Sequence, residues 1–515
     1  MQQADSASLT RQRIGFTLGV LLFVAILLAP TPEGMTDAGR RTAAIAAMMA
    51  AWWMSEATHI AVTALLPVGL YPLLGIMSAQ QSASYYANHI VFLFIGGFVI
   101  ALGMERWNLH RRIALNVIKR AGGEPARLTA GFMIATAALS MWISNTATTM
   151  MMLPIAMAVV NQLAELAEVD GRSGKEASDR ARASFGVILL LAIAYSASVG
   201  GIGTIIGSPT TVAFLGFVQE AFPEYPPIAF VDWMMVCIPI VVVFLPIAWV
   251  YLCRFAGDLP LSRIQFRGGE SVIASELARM GPMSPQEKKA LAVTTGTALL
   301  WVFRRPITLG GFTLPGWSEA FSEPSLMHDS TVAIAMAVLL FLVPARTADG
   351  KAGALMDWET AARGIPWGIV FLLGGGFALA GGIQETDLAL WIGSRLAGLE
   401  GTPVWLLVPL ACLLAALLTE ATSNVATVLM LSPVIAATAV EIGIHPYLLL
   451  IPTAIMASFA FMLPVATPPN AIVFSSGWIT MPRMFRVGLI LDLIALIVVP
   501  LFVYVLGGAV FGFGG

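Results

Sequence analysis

Charge is what this sequence has least of: 11% of its 515 residues are Asp, Glu, Lys or Arg. Soluble domains carry about 25%. With 58% hydrophobic residues and a mean hydropathy of +0.83, that scarcity excludes a soluble protein and implies an integral membrane one. Cysteine is nearly absent as well. Cys237, Cys253 and Cys412 all fall in apolar segments, which argues against a disulfide framework or a metal cluster. His59, His89, His110, His328 and His445 are scattered, without metal-ligand spacing. The strict alternation of an outer-membrane barrel is missing, so the spans are helical. No GxxxxGK[ST] loop occurs, nor GxSxG, HExxH or paired membrane aspartates, which argues against an ATP-driven pump and an intramembrane enzyme. Neither an organic cofactor nor a nucleic-acid partner is expected. The net charge of −2 says nothing about substrate sign, because the charges lie in loops.

What is present is a duplication. Ser144-Asn145-Thr146 opens SNTATTMMMLPIAMAV, and Ser423-Asn424-Val425 opens SNVATVLMLSPVIAAT at an offset of 279 residues. IGGFVIALG from 95 answers GGGFALAGG from 374 at the same offset. Two related halves, each placing an Asn among hydroxyls at membrane depth, point to a transporter with a central binding site.

Candidate spans are 14–30, 42–57, 60–77, 89–104, 184–202, 233–253, 290–303, 330–344, 366–382, 447–463 and 487–508. Residues 14–30 follow Arg11 and Arg13 as a signal peptide would. Ala29-Pro30-Thr31-Pro32 is a poor cleavage site, however, so a retained first helix is expected. Basic residues place the loops. Arg106, Arg111, Arg112, Lys119, Arg120 and Arg127 read as cytoplasmic, as do Arg172, Lys175, Arg180 and Arg182. The uncharged stretch 128–160 between them therefore starts and ends on one side. Its two arms of about 16 residues reach only about 24 Å against a core of about 30 Å, so a re-entrant hairpin with Ser144-Asn145-Thr146 at its tip is expected.

Carrying the count forward, 254–289 is cytoplasmic (Arg254, Arg263, Arg267, Arg279, Lys288, Lys289), and so is 345–365 (Arg346, Lys351, Arg363). The loop with Glu319, Glu323 and Asp329 lies outside, and a second hairpin, 403–440, enters from outside. The repeats are thus inverted; Arg40-Arg41, left outside, fits the rule least well.

The expected fold is an all-α polytopic membrane protein of about 11 transmembrane helices, N-terminus cytoplasmic and C-terminus outside. Residues 1–41 form the N-terminal segment and first helix. A first inverted repeat covers 42–253, with hairpin 128–160 and broken helix 184–220. After a cytoplasmic linker, 254–289, a second repeat covers 290–515, with hairpin 403–440 and broken helix 447–478.

The breaks lie at Gly200-Gly201-Ile202-Gly203-Thr204-Ile205-Ile206-Gly207-Ser208-Pro209-Thr210-Thr211 and Pro464-Val465-Ala466-Thr467-Pro468-Pro469-Asn470. Glycine allows close backbone approach, and proline removes a donor and frees a carbonyl. Unwound carbonyls can ligate a cation, and following helix N-termini offer amides to an anion. Tips and breaks contain no Lys, Arg or His. Asn145 and Asn424 each offer an amide oxygen to a cation and an NH2 to a carboxylate. Hydroxyls of Ser144, Thr146, Ser208, Thr210, Ser423 and Thr467 can donate to the same anion. A dianion buried without a basic side chain is costly to desolvate, and hard cations beside it offset that cost. Cation-coupled uptake of a small anion follows, with neither ion named.

The paired tips, the ATPPN loop and PEGMTDAGRRTAAIAAMMAAWWMSEATHIAVTALLPV resemble the divalent anion/sodium symporters, from about Glu33 to the C-terminus. That family includes bacterial sodium-coupled dicarboxylate transporters and mammalian citrate, dicarboxylate and sulfate cotransporters. The resemblance implies a homodimer in the bacterial inner membrane, with a scaffold domain and a transport domain moving as an elevator. It implies sodium-coupled import of C4 dicarboxylates such as succinate, malate and fumarate. Sodium-independent exchange, or transport of sulfate or citrate, is the alternative. A first sodium site falls on Ser140, Ser144, Asn145 and Gly207, and a second on Thr419, Thr422, Asn424 and Ala466, several through backbone carbonyls. Substrate falls to Ser144-Asn145-Thr146, Ser423-Asn424-Val425, Ser208-Pro209-Thr210 and Thr467-Pro468. Two departures stand out: Val425 where the family has Thr, and Thr210-Thr211 where it often has Pro-Asn.

Among the remaining polar residues, Glu420 is expected to anchor hairpin backbone, and Asp492 to pair with Arg486. Met150-Met151-Met152 reads as packing.

Overall fold

The computed structural model describes residues 2–164, 167–171, 174–266, 270–309, 312–346, 352–396, 398 and 401–513. Arg172, Arg267 and Lys351, counted above among the loop charges, lie outside these residues. The described chain is overwhelmingly helical, with three two-stranded antiparallel ribbons in its loops. Eight helices among the described residues are long and apolar enough to cross a membrane.

Local chemistry explains where the helices depart from the expected spans. The stretch expected as one span at 60–77 is two short helices, Ile60–Ala64 and Leu66–Leu73, with Pro67 in the first turn of the second. Proline's missing N–H costs nothing in a first turn, where that donor has no intrahelical partner. The helix expected over 447–463 is Tyr447–Met456, ending well before Pro464. Arg40 and Arg41 are occupied locally. Arg40 donates to the C-terminal carbonyls of Ile26 and Leu27, and Arg41 to Leu74 O at 2.7 Å. Cations capping helix C-termini in this way need not mark the cytoplasmic side.

Both hairpins form. The first consists of Pro125–Ser140 and Asn145–Ala164, the second of Val404–Ala421 and Asn424–Glu441. Each arm of the second is 18 residues, about 27 Å of helix. The broken helices are Lys175–Gly201 with Pro209–Ala221, and Tyr447–Met456 with Pro468–Phe474. Every residue from Ser184 to Ser208 is buried, which makes the first broken helix the core around which the rest is packed. By contrast, Met481–Phe511 alternates buried residues such as Leu491 with exposed ones such as Ile497, as a lipid-facing helix does.

Segments assigned to one side by charge do pack together. The ribbon Ala167–Val169 pairs with Ile264–Phe266, and Arg112 forms an ion pair with Glu287 at 2.9 Å. Trp107 donates to Leu355 O, joining the 345–365 loop to the same face. The other loops meet elsewhere: Phe230 N donates to Asp329, Tyr225 stacks on His445, and Trp391 donates to Glu33 O.

Candidate functional site

The two tips build the same small cluster from different residues. In the first half the Ser140 hydroxyl lies within hydrogen-bond reach of Asn145 Oδ1 and of Ala197 O, the latter at 2.8 Å. In the second half the Thr419 hydroxyl lies 2.8 Å from Asn424 Oδ1 and 2.6 Å from Ala457 O. Each cluster therefore joins a hydroxyl on the entering arm, the amide oxygen that starts the leaving arm, and a carbonyl of the broken helix. Three oxygens drawn together at a partly buried point, in tips and breaks that contain no Lys, Arg or His, form a donor set suited to a small hard cation.

Gly207 completes the first cluster. A Cβ there would sit 2.5 Å from Gly201 O, 2.8 Å from Ser140 O and 3.0 Å from Met141 O, so glycine is required for those carbonyls to converge. Gly201 itself is packed against the Asn145 amide. Thr204 ties the loop together: its hydroxyl donates to Met141 O and accepts from Gly207 N at 3.2 Å. In the second half Thr422 donates toward Leu418 O at 3.0 Å and shares a 2.7 Å bond with Thr427. Its hydroxyl is thus engaged within its own hairpin.

Residues assigned to substrate fall at helix starts. Ser208 and Thr467 are N-caps, accepting from Thr210 N and Asn470 N, each at 3.3 Å, with Pro209 and Pro468 as the first helical residues. Asn145, Asn424 and Pro209 each begin a helix of 13 residues or more at the site, so their N-terminal amides face any anion held there. Packing crosses between halves. The leaving arm of the first hairpin contacts Pro468–Phe474, and that of the second contacts Pro209–Ala221. Ser144, Asn145, Thr146, Ser423 and Asn424 are half-buried, whereas Thr210 and Val425 are buried.

Glu420 anchors backbone, but of the unwound segment rather than of its own hairpin. Its carboxyl oxygens accept from Met462 N and Leu463 N, each at 2.8 Å. The expected Asp492–Arg486 pair is not formed. Asp492 is buried beside Glu420, while Arg486 lies on the exposed face of the same helix. Asp492 lies four positions after Gly488, where a Cβ would run into the Phe461 carbonyl, so this face of the last helix presses on the segment Glu420 holds. Of the Met150-Met151-Met152 run, Met152 is fully buried and Met151 half-buried, but Met150 is exposed, so the expected packing role does not extend to it within this chain.

Sequence reasoning missed Ala197, Ala457 and Tyr195. The first two act through carbonyls, which carry no side-chain signal, and Tyr195 sits unmarked in an apolar run. Among the described residues no group of His, Cys, Asp and Glu could hold a metal.

Residues 11–512 match the family described as the sodium:sulfate symporter transmembrane region. A sodium-dependent dicarboxylate transporter, SdcS, of Staphylococcus saprophyticus is 40% identical over 97% of this chain and 92% of its own. SdcS of Staphylococcus aureus is 40% identical over 98% and 92%. Among solved structures, the Alcanivorax borkumensis YdaH transporter superposes with a TM-score of 0.55 at 13% identity, covering 89% of this chain and 99% of its own. MtrF of Neisseria gonorrhoeae gives 0.53 at 11% identity, covering 96% and 94%. Those two likenesses speak for fold alone. The match across nearly the whole length, with the duplicated tips intact, makes this chain a member of the sodium:sulfate symporter family of membrane transporters.

Proposed function

We propose that the protein imports C4 dicarboxylates, succinate, malate and fumarate among them, with sodium ions as co-substrates. The observation that carries this reading is the duplicated cluster of hydroxyl, Asn amide oxygen and broken-helix carbonyl at Ser140/Asn145/Ala197 and Thr419/Asn424/Ala457. Each cluster is neutral and oxygen-rich, suited to Na+. Each Asn keeps an NH2 for the dianion, which the bound cations and helix N-termini stabilise in place of a basic side chain.

On this reading Ser140, Ser144, Asn145 and Gly207 hold one sodium, and Thr419, Thr422, Asn424 and Ala466 the other. Substrate carboxylates meet Ser144-Asn145-Thr146, Ser423-Asn424-Val425, Ser208-Pro209-Thr210 and Thr467-Pro468. The two halves are inverted repeats, 42–253 and 290–515, whose hairpins enter from opposite sides of the inner membrane. Separate packing of the two sets of loops supports that arrangement. The protein works as a homodimer, and a transport domain carries the site past a scaffold.

Exchange without sodium is the second reading, prompted by Thr211 in place of the family's Asn. Thr204 weighs against it, because its hydroxyl already ties the first loop as Asn470 ties the second. The test is radiolabelled succinate uptake into proteoliposomes under an inward sodium gradient, with potassium replacing sodium in parallel. Accumulation above equilibrium with sodium alone is expected. Uptake that ignores sodium and requires internal dicarboxylate would establish exchange instead.

A further inference from the structure

Among the described residues, the second unwound segment, Ala457 to Thr467, receives one side-chain hydrogen bond from the other half of the molecule. The Tyr195 hydroxyl donates to Phe461 O at 2.9 Å, and the two rings pack with centroids 5.0 Å apart. Tyr195 is fully buried on Lys175–Gly201, two residues before Ala197, whose carbonyl belongs to the first cation cluster. Phe461 lies between Ala457, whose carbonyl belongs to the second cluster, and Ala466. One phenol thus joins the rigid helix of one cluster to the irregular backbone of the other. Neighbouring rings enclose the bond: Phe461 packs against Phe459 and Phe244, with centroids 5.4 and 6.0 Å away.

We infer that Tyr195 is a positioning residue that couples the two cation sites. Occupancy of the first cluster orders Ser140, Asn145 and the end of Lys175–Gly201. Through the Tyr195–Phe461 bond that order extends to the segment presenting Ala457 O, so the second cation meets a backbone already fixed. By linkage the second cation favours the first to the same extent. The packing around the bond explains why one hydrogen bond can carry this: the segment has no helical ladder of its own there, so its position depends on the partners that fix its carbonyls. No equivalent tie reaches from the second half into residues 202–208 among the described bonds. There the cross-element donor is Trp233, which belongs to the first half and binds Ile202 O at 2.8 Å.

The inference rests on the sodium-coupled reading above, and the experiment separates the two. Succinate uptake is measured against sodium concentration in proteoliposomes for wild type, Tyr195→Phe and Phe461→Leu. In parallel, sodium-induced thermal stabilisation of the purified proteins is recorded. Wild type should respond cooperatively to sodium in both measurements. Tyr195→Phe should lose cooperativity and raise the half-saturating sodium concentration about five- to tenfold, the equilibrium effect of one buried neutral hydrogen bond. Its melting temperature without sodium should fall only slightly, as the loss of one buried hydrogen bond predicts, and its succinate KM at saturating sodium should stay near wild type. Phe461→Leu keeps the carbonyl and loosens only the ring packing, so it should retain wild-type cooperativity. A Tyr195→Phe curve superimposable on wild type would overturn the inference. So would an equal loss in Phe461→Leu, or a Tyr195→Phe protein that no longer folds, since either makes the role one of packing. A wild type indifferent to sodium would overturn the transport reading itself before any variant is compared.

Discussion

The two unwound segments do the same job by different means. From Ile202 to Ser208 the first is short and glycine-rich, and it lies directly on the hairpin, backbone against backbone at Gly207. The second runs from Ala457 to Thr467 and begins earlier. Ala197 and Ala457 receive matching hydroxyls, yet Ala197 is still helical, while Ala457 already lies beyond Met456. The longer segment leaves more backbone groups without a helical partner, and side chains take them up. Glu420 accepts two N–H groups, Asn470 donates to Ala460 O and Leu463 O, and Tyr195 donates to Phe461 O. Met141 stands where Glu420 stands in the other half, at the 279-residue offset. Where glycine lets backbones touch, an apolar residue suffices; where they stand apart, a carboxylate bridges the gap.

If the two clusters are functionally equal, the largest loss comes from either asparagine. Asn145→Ala and Asn424→Ala should each reduce sodium-driven uptake at least about a hundredfold, because on the proposed reading one amide serves both cation and anion. Both proteins should remain folded and membrane-inserted. Wild-type uptake by either variant would remove that asparagine from the site.

The clamps should be unequal. Replacing Glu420 with Leu strands two buried N–H groups, at about 1–3 kcal/mol each, and should lower the melting temperature along with uptake. Met141→Leu conserves volume and should cost less than about 1.5 kcal/mol. Equal melting temperatures for the two variants would show that Glu420 is dispensable as a clamp. A gentler contrast lies at the matched backbone positions. Gly207→Ala drives a methyl into three carbonyls and should raise the half-saturating sodium concentration at least about tenfold. Ala466→Gly adds only flexibility, about 1 kcal/mol or less, and should stay within about fivefold. Equal responses would mean the first loop does not need its glycine.

How far this asymmetry could be read in the sequence depends on which atoms carry it. The tips, the breaks and the matched spacing are side-chain patterns: Asn145 and Asn424 are expected at hairpin tips and Ser208 and Thr467 within helix breaks, and the structure places all four at the start of a helix. Ala197 and Ala457 act through carbonyls, and any residue supplies one. Where each helix unwinds depends on the sum of partners around it. Pro464 suggested a break there, but the helix ends at Met456, because Thr419, Glu420, Asn470 and Tyr195 stabilise the unwound backbone upstream. Asp492 was misplaced for a related reason. Its neighbour Arg486 is close in sequence, but the helix turns that side chain to the exposed face, and Gly488 marks the face that is pressed inward.

The smallest expected effect tests whether the tips differ in what they select. Val425 takes the place that Thr146 holds in the first tip, and it is buried where Thr146 is half-buried. Threonine has nearly the shape of valine, so Val425→Thr changes one methyl to a hydroxyl with little strain. Val425 is the second residue of its helix, so no carbonyl of that helix lies one turn earlier to take the hydroxyl, and stability should fall by about 1 kcal/mol from its desolvation. A new donor beside a carboxylate acts on substrates that present an oxygen there and leaves the cation cluster alone, since Thr419 and Asn424 are bonded on their own. Competition among succinate, malate, citrate and sulfate should change by about three- to tenfold in relative affinity, and half-saturating sodium by less than about twofold. A shift in sodium response without a shift in selectivity would place Val425 on the cation side of the second tip. An unchanged ranking would mean that the two tips read substrate through Asn and Ser alone.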